Sequence, residues 1–301
     1  MQVLVAGGTG FIGAALCRRL AARGHRVVIL TRRPDPPPQS NGLPVVSWGA
    51  SRWQQLLEEC DGLVNLAGES ITGKRWSTRQ KLLIRESRVE TTRRLVSAVA
   101  VLPKKPGVLV NASAVGFYGP REDEELDEAD APGHGFLAEL CQAWEHEACR
   151  AEPLGVRVVR LRIGIVLGLG GGALSKMVPP FRAFLGGPLG SGRQWMSWIH
   201  LDDVAGLIEW ALTHAEVSGA VNATAPHPVT MHELSQTLGR VLHRPSVAPI
   251  PGVVLRLALG EMADMLLTGQ RVLPKRAVAQ GYAFRYPLLQ QALEDCLGFV
   301  R

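Results

Sequence analysis

The chain is short of several things that would have decided its class at once. Its five cysteines (Cys17, Cys60, Cys141, Cys149 and Cys296) lack metal-ligand spacing, and an odd count argues against a disulfide framework. A reducing interior is the expected setting, with Cys17 in a core helix. No uncharged apolar run approaches the length of a membrane span: the best stretch, 156–174, is broken by Arg157, Arg160 and Arg162. The formal charge is +6, but the basic residues stand singly or in pairs among acids, without the dense block that nucleic-acid binding would call for. His200, Asp202 and Asp203 are too close in sequence to converge on one metal from a helix, so no metal is expected. Neither nucleic acid nor membrane is an expected partner. No targeting segment precedes the first strand signal, which makes a soluble, cytoplasmic protein the expectation.

What is present is concentrated near the start. The stretch 2–6 reads as a buried strand, and 11–23 has helical apolar spacing stopped by Gly24. Between them, Gly7, Gly10 and Gly13 fall at a strand-to-helix turn. The first permits the tight turn, the second clears the approach of a pyrophosphate, and the third lets the helix pack on the sheet. Free N–H groups at Phe11, Ile12 and Gly13 then face the phosphates. A second strand, 26–31, ends in Thr31-Arg32-Arg33. A carboxylate about 20 residues after the glycines would select a ribose 2′-hydroxyl, but the first acid here is Asp35, after two arginines. Guanidinium forks suit a 2′-phosphate, so the cofactor expected is NADP rather than NAD. The plain alternative is a solvated arginine pair opening a loop.

At 46% hydrophobic, the chain can bury one large core or two modest ones. Strand and helix signals alternate to residue 165: a proline-rich loop (Pro34, Pro36, Pro37, Pro38), strands at 45–48, 62–66, 107–111 and 156–161, and helices at 81–101 and 136–151. Such alternation predicts right-handed crossovers and a doubly wound parallel α/β sheet. The domain division expected is 1–165 for the nucleotide-binding unit and 166–301 for a smaller, discontinuous C-terminal substrate lobe, with a strand near 217–223 returning to the sheet. Thr230 to Glu233 looks like a capping box, and Asp202 or Asp203 is the expected cap of the helix that follows His200. The seven acids of 121–130 read as a solvated loop.

Several segments resemble one group of proteins. The Gly7-x-x-Gly10-x-x-Gly13 spacing is similar to that of extended and atypical short-chain dehydrogenases/reductases, which include the sugar-nucleotide epimerases. Asn65-Leu66-Ala67-Gly68 resembles the cofactor-lining segment after the fourth strand. Asn111 to Gly119 resembles the fifth-strand segment ending in Tyr-Gly. Leu161 to Gly168, with Arg162 and Ile163, resembles the stretch framing the nicotinamide, and Trp198 to Ala205 the strand–helix junction of the extended group. Gly68-Glu69-Ser70, Arg75-Trp76, Ser87-Arg88 and the 186–194 stretch look like the epimerase-like atypical subfamily, as does 274–293. The resemblance implies a Rossmann fold, and helices 77–101 and 136–151 are those that pair into a homodimer in many of that group; the sequence leaves open whether they pair here.

The chain departs from that group at its chemistry. The usual acid/base pair is Tyr-x-x-x-Lys, but the residue four positions on is Glu122 after Tyr118, Tyr286 after Tyr282 and Gln290 after Tyr286. The pair would fall near Phe136–Leu140 or Leu137–Cys141, and neither can transfer a proton as it does. Remaining catalytic candidates are Ser113 and Tyr118 at the end of the fifth strand, and Glu69 with Arg88 as a coupled pair in the same cleft; Glu69, Arg88 and Ser113 are also expected to border the cofactor. Gly68 to Arg75 nearly matches a phosphate loop, yet Arg75 stands where Mg²⁺ needs a hydroxyl. Trp195 and Trp198 are either ligand-stacking or core residues. The function expected is an NADP(H)-dependent oxidoreductase with a small carbonyl or alcohol substrate of unknown identity. A catalytically quiet NADPH-binding, redox-sensing protein is the alternative.

Overall fold

The computed structural model describes residues 1–34, 39–40 and 42–298; Asp35 and Pro36 to Pro38 of the expected proline-rich loop lie outside them. The chain opens with β1 (Gln2–Ala6), α1 (Phe11–Ala22) and β2 (Arg26–Thr31), followed by β3 (Gln39–Ser40), β4 (Leu43–Ser47), α2 (Arg52–Glu59) and β5 (Gly62–Asn65). The long α3 (Thr78–Ala100) leads to β6 (Val108–Ala114), the short β7 (Glu125–Leu126) and α4 (Phe136–Cys149). Then come β8 (Arg157–Ile163), β9 (Ile165–Leu167), α5 (Leu174–Arg182), β10 (Trp195–Met196), β11 (Trp198–His200), α6 (Leu201–Thr213) and β12 (Gly219–Ala223). The remainder is β13 (Val229–Thr230), α7 (Met231–Leu242), α8 (Gly252–Leu259), α9 (Asp264–Leu267), β14 (Arg271–Val272), α10 (Lys275–Ala279) and α11 (Leu289–Leu297).

The central sheet runs β12-β8-β6-β5-β1-β2-β4-β3. Its pairs are parallel except the short β3–β4 edge. Strand β1 shows why the sheet is covered on both sides. Val3 and Val5 join α1 and α6 through Leu16, Leu20, Leu207 and Ile208, whereas Leu4 and Ala6 join α2 and α3 through Leu57, Leu95 and Val99. The period-2 alternation of a strand thus feeds two cores at once. Strand order reverses beside β1, where β5 lies on one side and β2 on the other, and a doubly wound sheet opens its ligand crevice at such a point. A separate core of Leu174, Phe181, Trp198, Leu234, Leu238 and Leu293 is built by α5, β11, α7 and α11.

The strand expected near 217–223 does return to the main sheet, as β12 beside β8, and α6 before it packs against α1 through the shared core. Two expectations change here. The cap of α6 is neither Asp202 nor Asp203: His200 Nδ1 accepts the Asp202 N–H at 3.1 Å. Asp203 is instead buried, accepting the Arg285 and Tyr286 N–H groups at 2.8 and 2.9 Å. Finally, the acidic run is a clasp rather than a solvated loop. Glu125 pairs with Arg271, Asp127 with Lys275, and Asp123 accepts from Trp195 Nε1. Glu128 accepts from the backbone N–H groups of Asn222 and Arg276. Those partners lie up to 148 residues away, beyond any local sequence signal. The capping box at Thr230 and Glu233 is present as expected. Among the described residues no helix is long and apolar enough to cross a membrane.

Candidate functional site

The carboxyl edge of the sheet brings the glycine turn, the end of β2 and the loop after β5 together. Gly7 has φ +83°, and a Cβ there would lie 2.8 Å from the Leu66 backbone; a side chain would drive the first turn away from the loop after β5. At Gly13 a Cβ would collide with the Gly7 carbonyl oxygen, so this glycine serves helix-to-turn packing. Gly10 differs from both. It is exposed, and only the Gly7 oxygen, at 3.2 Å, would meet its Cβ. Its bareness therefore leaves a hollow facing outward, above the start of α1. That helix start has no side-chain cap and no acid in its first turn, which suits an anionic group. The residues present fit a dinucleotide pyrophosphate. Phe11 closes one side: a side chain at Gly168, Gly171 or Gly172 would strike its ring.

At the end of β2, Thr31 is buried while Arg32 and Arg33 are exposed. The Arg33 N–H donates to Thr31 Oγ1 at 3.4 Å. The Arg32 guanidinium lies 3.7 Å from the Glu69 carboxylate. Glu69 thus faces Arg32, not Arg88, and the expected Glu69–Arg88 side-chain pair does not form. Arg88 reaches only the backbone of that loop, donating from Nη1 to the Glu69 and Ile84 carbonyls at 2.9 and 3.1 Å. The Glu69 N–H donates to Ser87 Oγ at 2.9 Å. A Cβ at Gly68 would lie 2.9 Å from Arg88 Cζ, so Gly68 allows the guanidinium to lie flat on the loop. Burial lowers the Arg88 pKa from its ordinary value, and its guanidinium also lies 5.3 Å from the Trp144 ring centre.

Sequence reading missed the support beneath this loop. Asn65 Nδ2 donates to Thr92 Oγ1 (2.8 Å) and Asn111 Oδ1 (2.7 Å), while its Oδ1 accepts the Ala67 N–H at 3.2 Å. Trp144 Nε1 completes the group by donating to Thr92 Oγ1 at 2.9 Å. Leu66 and Ala67 are thereby held by buried hydrogen bonds. The signal was available: Asn65 and Asn111 are the polar members of otherwise apolar strands, and buried amides need partners.

Ser113, Tyr118 and Arg162 come together, but as a buried network. Ser113 Oγ donates to Glu145 at 2.7 Å. Arg162 makes two bonds to Glu145, 2.9 and 3.1 Å, and one to the Tyr118 hydroxyl at 2.9 Å. Tyr118 in turn donates to Asn222 Oδ1 at 2.7 Å. Tyr118 is 0% exposed and Ser113 and Arg162 are 3% exposed, so none presents its polar group freely to a ligand. Burial pushes the Tyr118 phenol up to about 12. Ile163, next to Arg162, is also buried. Cys141, where the resemblance placed one end of the Tyr/Lys pair, is a buried thiol pushed up to about 11 by desolvation. Trp198 is core, and Trp195 is half-buried with Arg271 4.5 Å over its ring.

With this geometry, the likeness to known proteins is specific. The NAD dependent epimerase/dehydratase family model matches residues 3–223, and a domain of unknown function, DUF1731, matches 250–296. The Epimerase family protein SDR39U1 homolog, chloroplastic, of Arabidopsis thaliana is 44% identical over 299 residues, covering 97% of this chain and 86% of that protein. Epimerase family protein YfhF of Bacillus subtilis is 40% identical over 301 residues, covering 99% of this chain and 98% of its own. The crystal structure of human epimerase family protein SDR39U1 with NADPH aligns at TM-score 0.91 and 39% identity, covering 100% of both chains. The glycine turn, the clamped loop after β5 and the extent of these matches lead to one conclusion: the chain belongs to the NAD dependent epimerase/dehydratase family.

Proposed function

We propose that this protein binds NADP(H) and acts as an oxidoreductase on a small carbonyl or alcohol compound. The observation that carries the reading is the outward-facing hollow at Gly10 with the exposed Arg32 and Arg33 at the end of the neighbouring strand β2, where the one carboxylate paired to Arg32 among the described residues is Glu69, from the loop after β5. The human relative crystallised with NADPH supports it. When bound, the nicotinamide supplies or accepts a hydride. Gly7, Gly10 and Gly13 let a pyrophosphate reach the N–H groups of Phe11 and Ile12. Arg32 and Arg33 would hold the 2′-phosphate, Arg32 exchanging Glu69 for it, with Thr31 at the end of the strand beneath them. Leu66, Ala67 and Gly68 would line the cofactor. Arg88, laid on Gly68 with Nη1 donating to the Glu69 and Ile84 carbonyls, would orient and polarise a substrate oxygen with its remaining N–H groups; a guanidinium stays protonated, so it would not deliver a proton. Ser113, Tyr118, Arg162 and Ile163 form the buried floor that fixes the end of β6 against β8.

Calorimetric titration with NADPH and with NADH tests this. NADPH should bind about tenfold to a hundredfold more tightly, equivalent to roughly 1.5–3 kcal/mol, and Arg32→Ala/Arg33→Ala should remove the preference. Equal binding of the two cofactors would overturn the NADP assignment. A second reading, a catalytically quiet NADPH-binding redox sensor, is favoured by the locked Tyr118 hydroxyl. Incubation of 4-deuterated NADPH with a panel of small carbonyl compounds separates the two: deuterium in a product supports the oxidoreductase, and tight binding with no label transfer supports the sensor.

A further inference from the structure

The rim of the cleft away from the glycine turn is built by the loop after β5 and by the starts of α3 and α4. Each of those helices follows a parallel strand, so each begins at the carboxyl edge of the sheet. Trp76 and Phe136 meet there edge to face, with ring centres 5.3 Å apart. The Lys81 ammonium lies 5.4 Å from the Phe136 ring centre. Phe136 is one of the positions where the family resemblance would put the tyrosine–lysine pair. Lys81 therefore brings a cation to that place from a different helix.

The segment 252–267 crosses the same rim. Glu261 pairs with Lys81, and Arg75 Nη2 donates to the Leu257 carbonyl at 3.3 Å, in the last turn of α8, where the helix dipole is negative. Beyond α8 the segment is anchored: Met262 and Ala263 are buried, and Gln194 Nε2 donates to the Leu266 carbonyl at 2.8 Å. Helix α8 itself has no buried residue, and Val253, Val254 and Leu257 are exposed. It is bounded by Pro251-Gly252 at one end and by Gly260 at the other. Gly260 has φ +62° and ψ −141°, a conformation that side-chain-bearing residues rarely adopt. Arg75 thus holds the last turn of α8, Lys81 holds Glu261 just beyond Gly260, and Arg256 ties α8 to Asp264 at 3.4 Å.

We infer that α8 is a lid over the substrate end of the cleft, latched by Arg75 and Lys81, and that an oxyanion on the substrate opens it by drawing those cations away from Leu257 and Glu261. The inference rests on the reading of this cleft as a cofactor and substrate site, and it narrows the substrate to a small carboxylate- or phosphate-bearing compound. Glu261 is 63% exposed at its side chain. An ion pair so open to water is weak and readily exchanged for a carboxylate or phosphate that both cations can bind at once.

Hydrogen exchange read by mass spectrometry on the full chain loaded with NADPH tests the lid. Arg75→Ala/Lys81→Met should speed exchange in 253–260 about tenfold, while 2–6 and 231–242 stay unchanged. Glu261→Gln, which removes the partner of Lys81 just beyond Gly260 and leaves both cations in place, should act in the same direction. Arg75→Lys/Lys81→Arg should remain closed. Inorganic phosphate or acetate added to the wild type should speed exchange in 253–260 severalfold and add nothing in the Arg75→Ala/Lys81→Met variant; the ion effective at lower concentration identifies the group. Unchanged exchange in 253–260 in both latch variants, or no response of the wild type to either ion, overturns the lid. Calorimetry on the same samples keeps the two readings apart. Intact NADPH binding without a lid response defeats the lid alone, whereas no NADPH binding by the wild type defeats the cofactor reading.

Discussion

The two halves of the central sheet treat polar groups at their carboxyl edges in opposite ways. On the β1–β2–β5 side, the backbone at Gly10 opens outward, the start of α1 carries no side-chain cap, and Arg32 and Arg33 stand exposed. On the β6–β8–β12 side, Glu145, Arg162, Ser113, Tyr118 and Asn222 satisfy one another in the interior. The first half is arranged to receive an anion. The second has spent the Ser113 and Tyr118 hydroxyls on interior partners. A buried pair such as Glu145–Arg162 adds little net stability over an apolar equivalent, but removing one member leaves a charge stranded in low dielectric.

That contrast can be broken most severely at Glu145. Glu145→Gln should destabilise the fold by about 3–5 kcal/mol, read from the denaturant midpoint, because Arg162 keeps its charge without a carboxylate. A comparable loss upon Gly10→Ala would erase the distinction between the two halves. The glycine turn itself gives a sharper, intermediate test. Gly13→Ala should cost about 1–3 kcal/mol of stability, since its Cβ meets backbone that cannot move aside. Gly10→Ala should change stability by less than about 0.5 kcal/mol and yet weaken NADPH binding about tenfold or more, equivalent to about 1.4 kcal/mol. Thermal melts with and without NADPH separate the two, and equal effects on both quantities at both sites would refute the division of labour.

The smallest expected effect concerns pH. Burial depresses the His200 pKa from its ordinary value, opposed by the charges of Asp202, Asp295 and Asp203 and reinforced by Arg285. A base that titrates lower in the folded than in the unfolded state favours folding while it is neutral. Its contribution is present above the unfolded value of about 6.5 and is lost as pH falls below it. Burial raises the neighbouring Asp203 carboxyl, which has the opposite dependence and acts in a more acidic range. Stability measured from pH 7.5 down to 5.5 should therefore decline, and His200→Asn, which retains a capping acceptor for the Asp202 N–H, should flatten that decline.

Much of the β1–β2 side of the sheet was legible because its signals are local. Strand β1, the three glycines, the start of α1 and the end of β2 lie within the first 33 residues, and each residue type there answers to its immediate backbone. The Thr230–Glu233 cap was legible for the same reason. Where partners are distant, local reading failed. An acid-rich run looks solvated until Arg271, Lys275 and Arg276 fold onto it, and Asp203 looks like a helix cap until the Arg285 and Tyr286 N–H groups arrive. Glu69 and Arg88 were correctly placed at one loop but incorrectly joined, because the backbone lies between their charges. Glu145 was overlooked: a single acid in an amphipathic helix gives no sign that it will meet two arginines from β8.

By itself, then, the amino-acid order determined the alternating strands and helices, the missing side chain at Gly10 and the absence of a tyrosine–lysine pair, since these depend on backbone sterics, hydrophobic period and residue identity. Tertiary structure alone decided which charges would be buried together, which hydroxyls would be spent on the interior, and that 252–267 would meet Arg75 and Lys81. Those outcomes turn on desolvation and on contacts between residues far apart in sequence, and neither has a local signature.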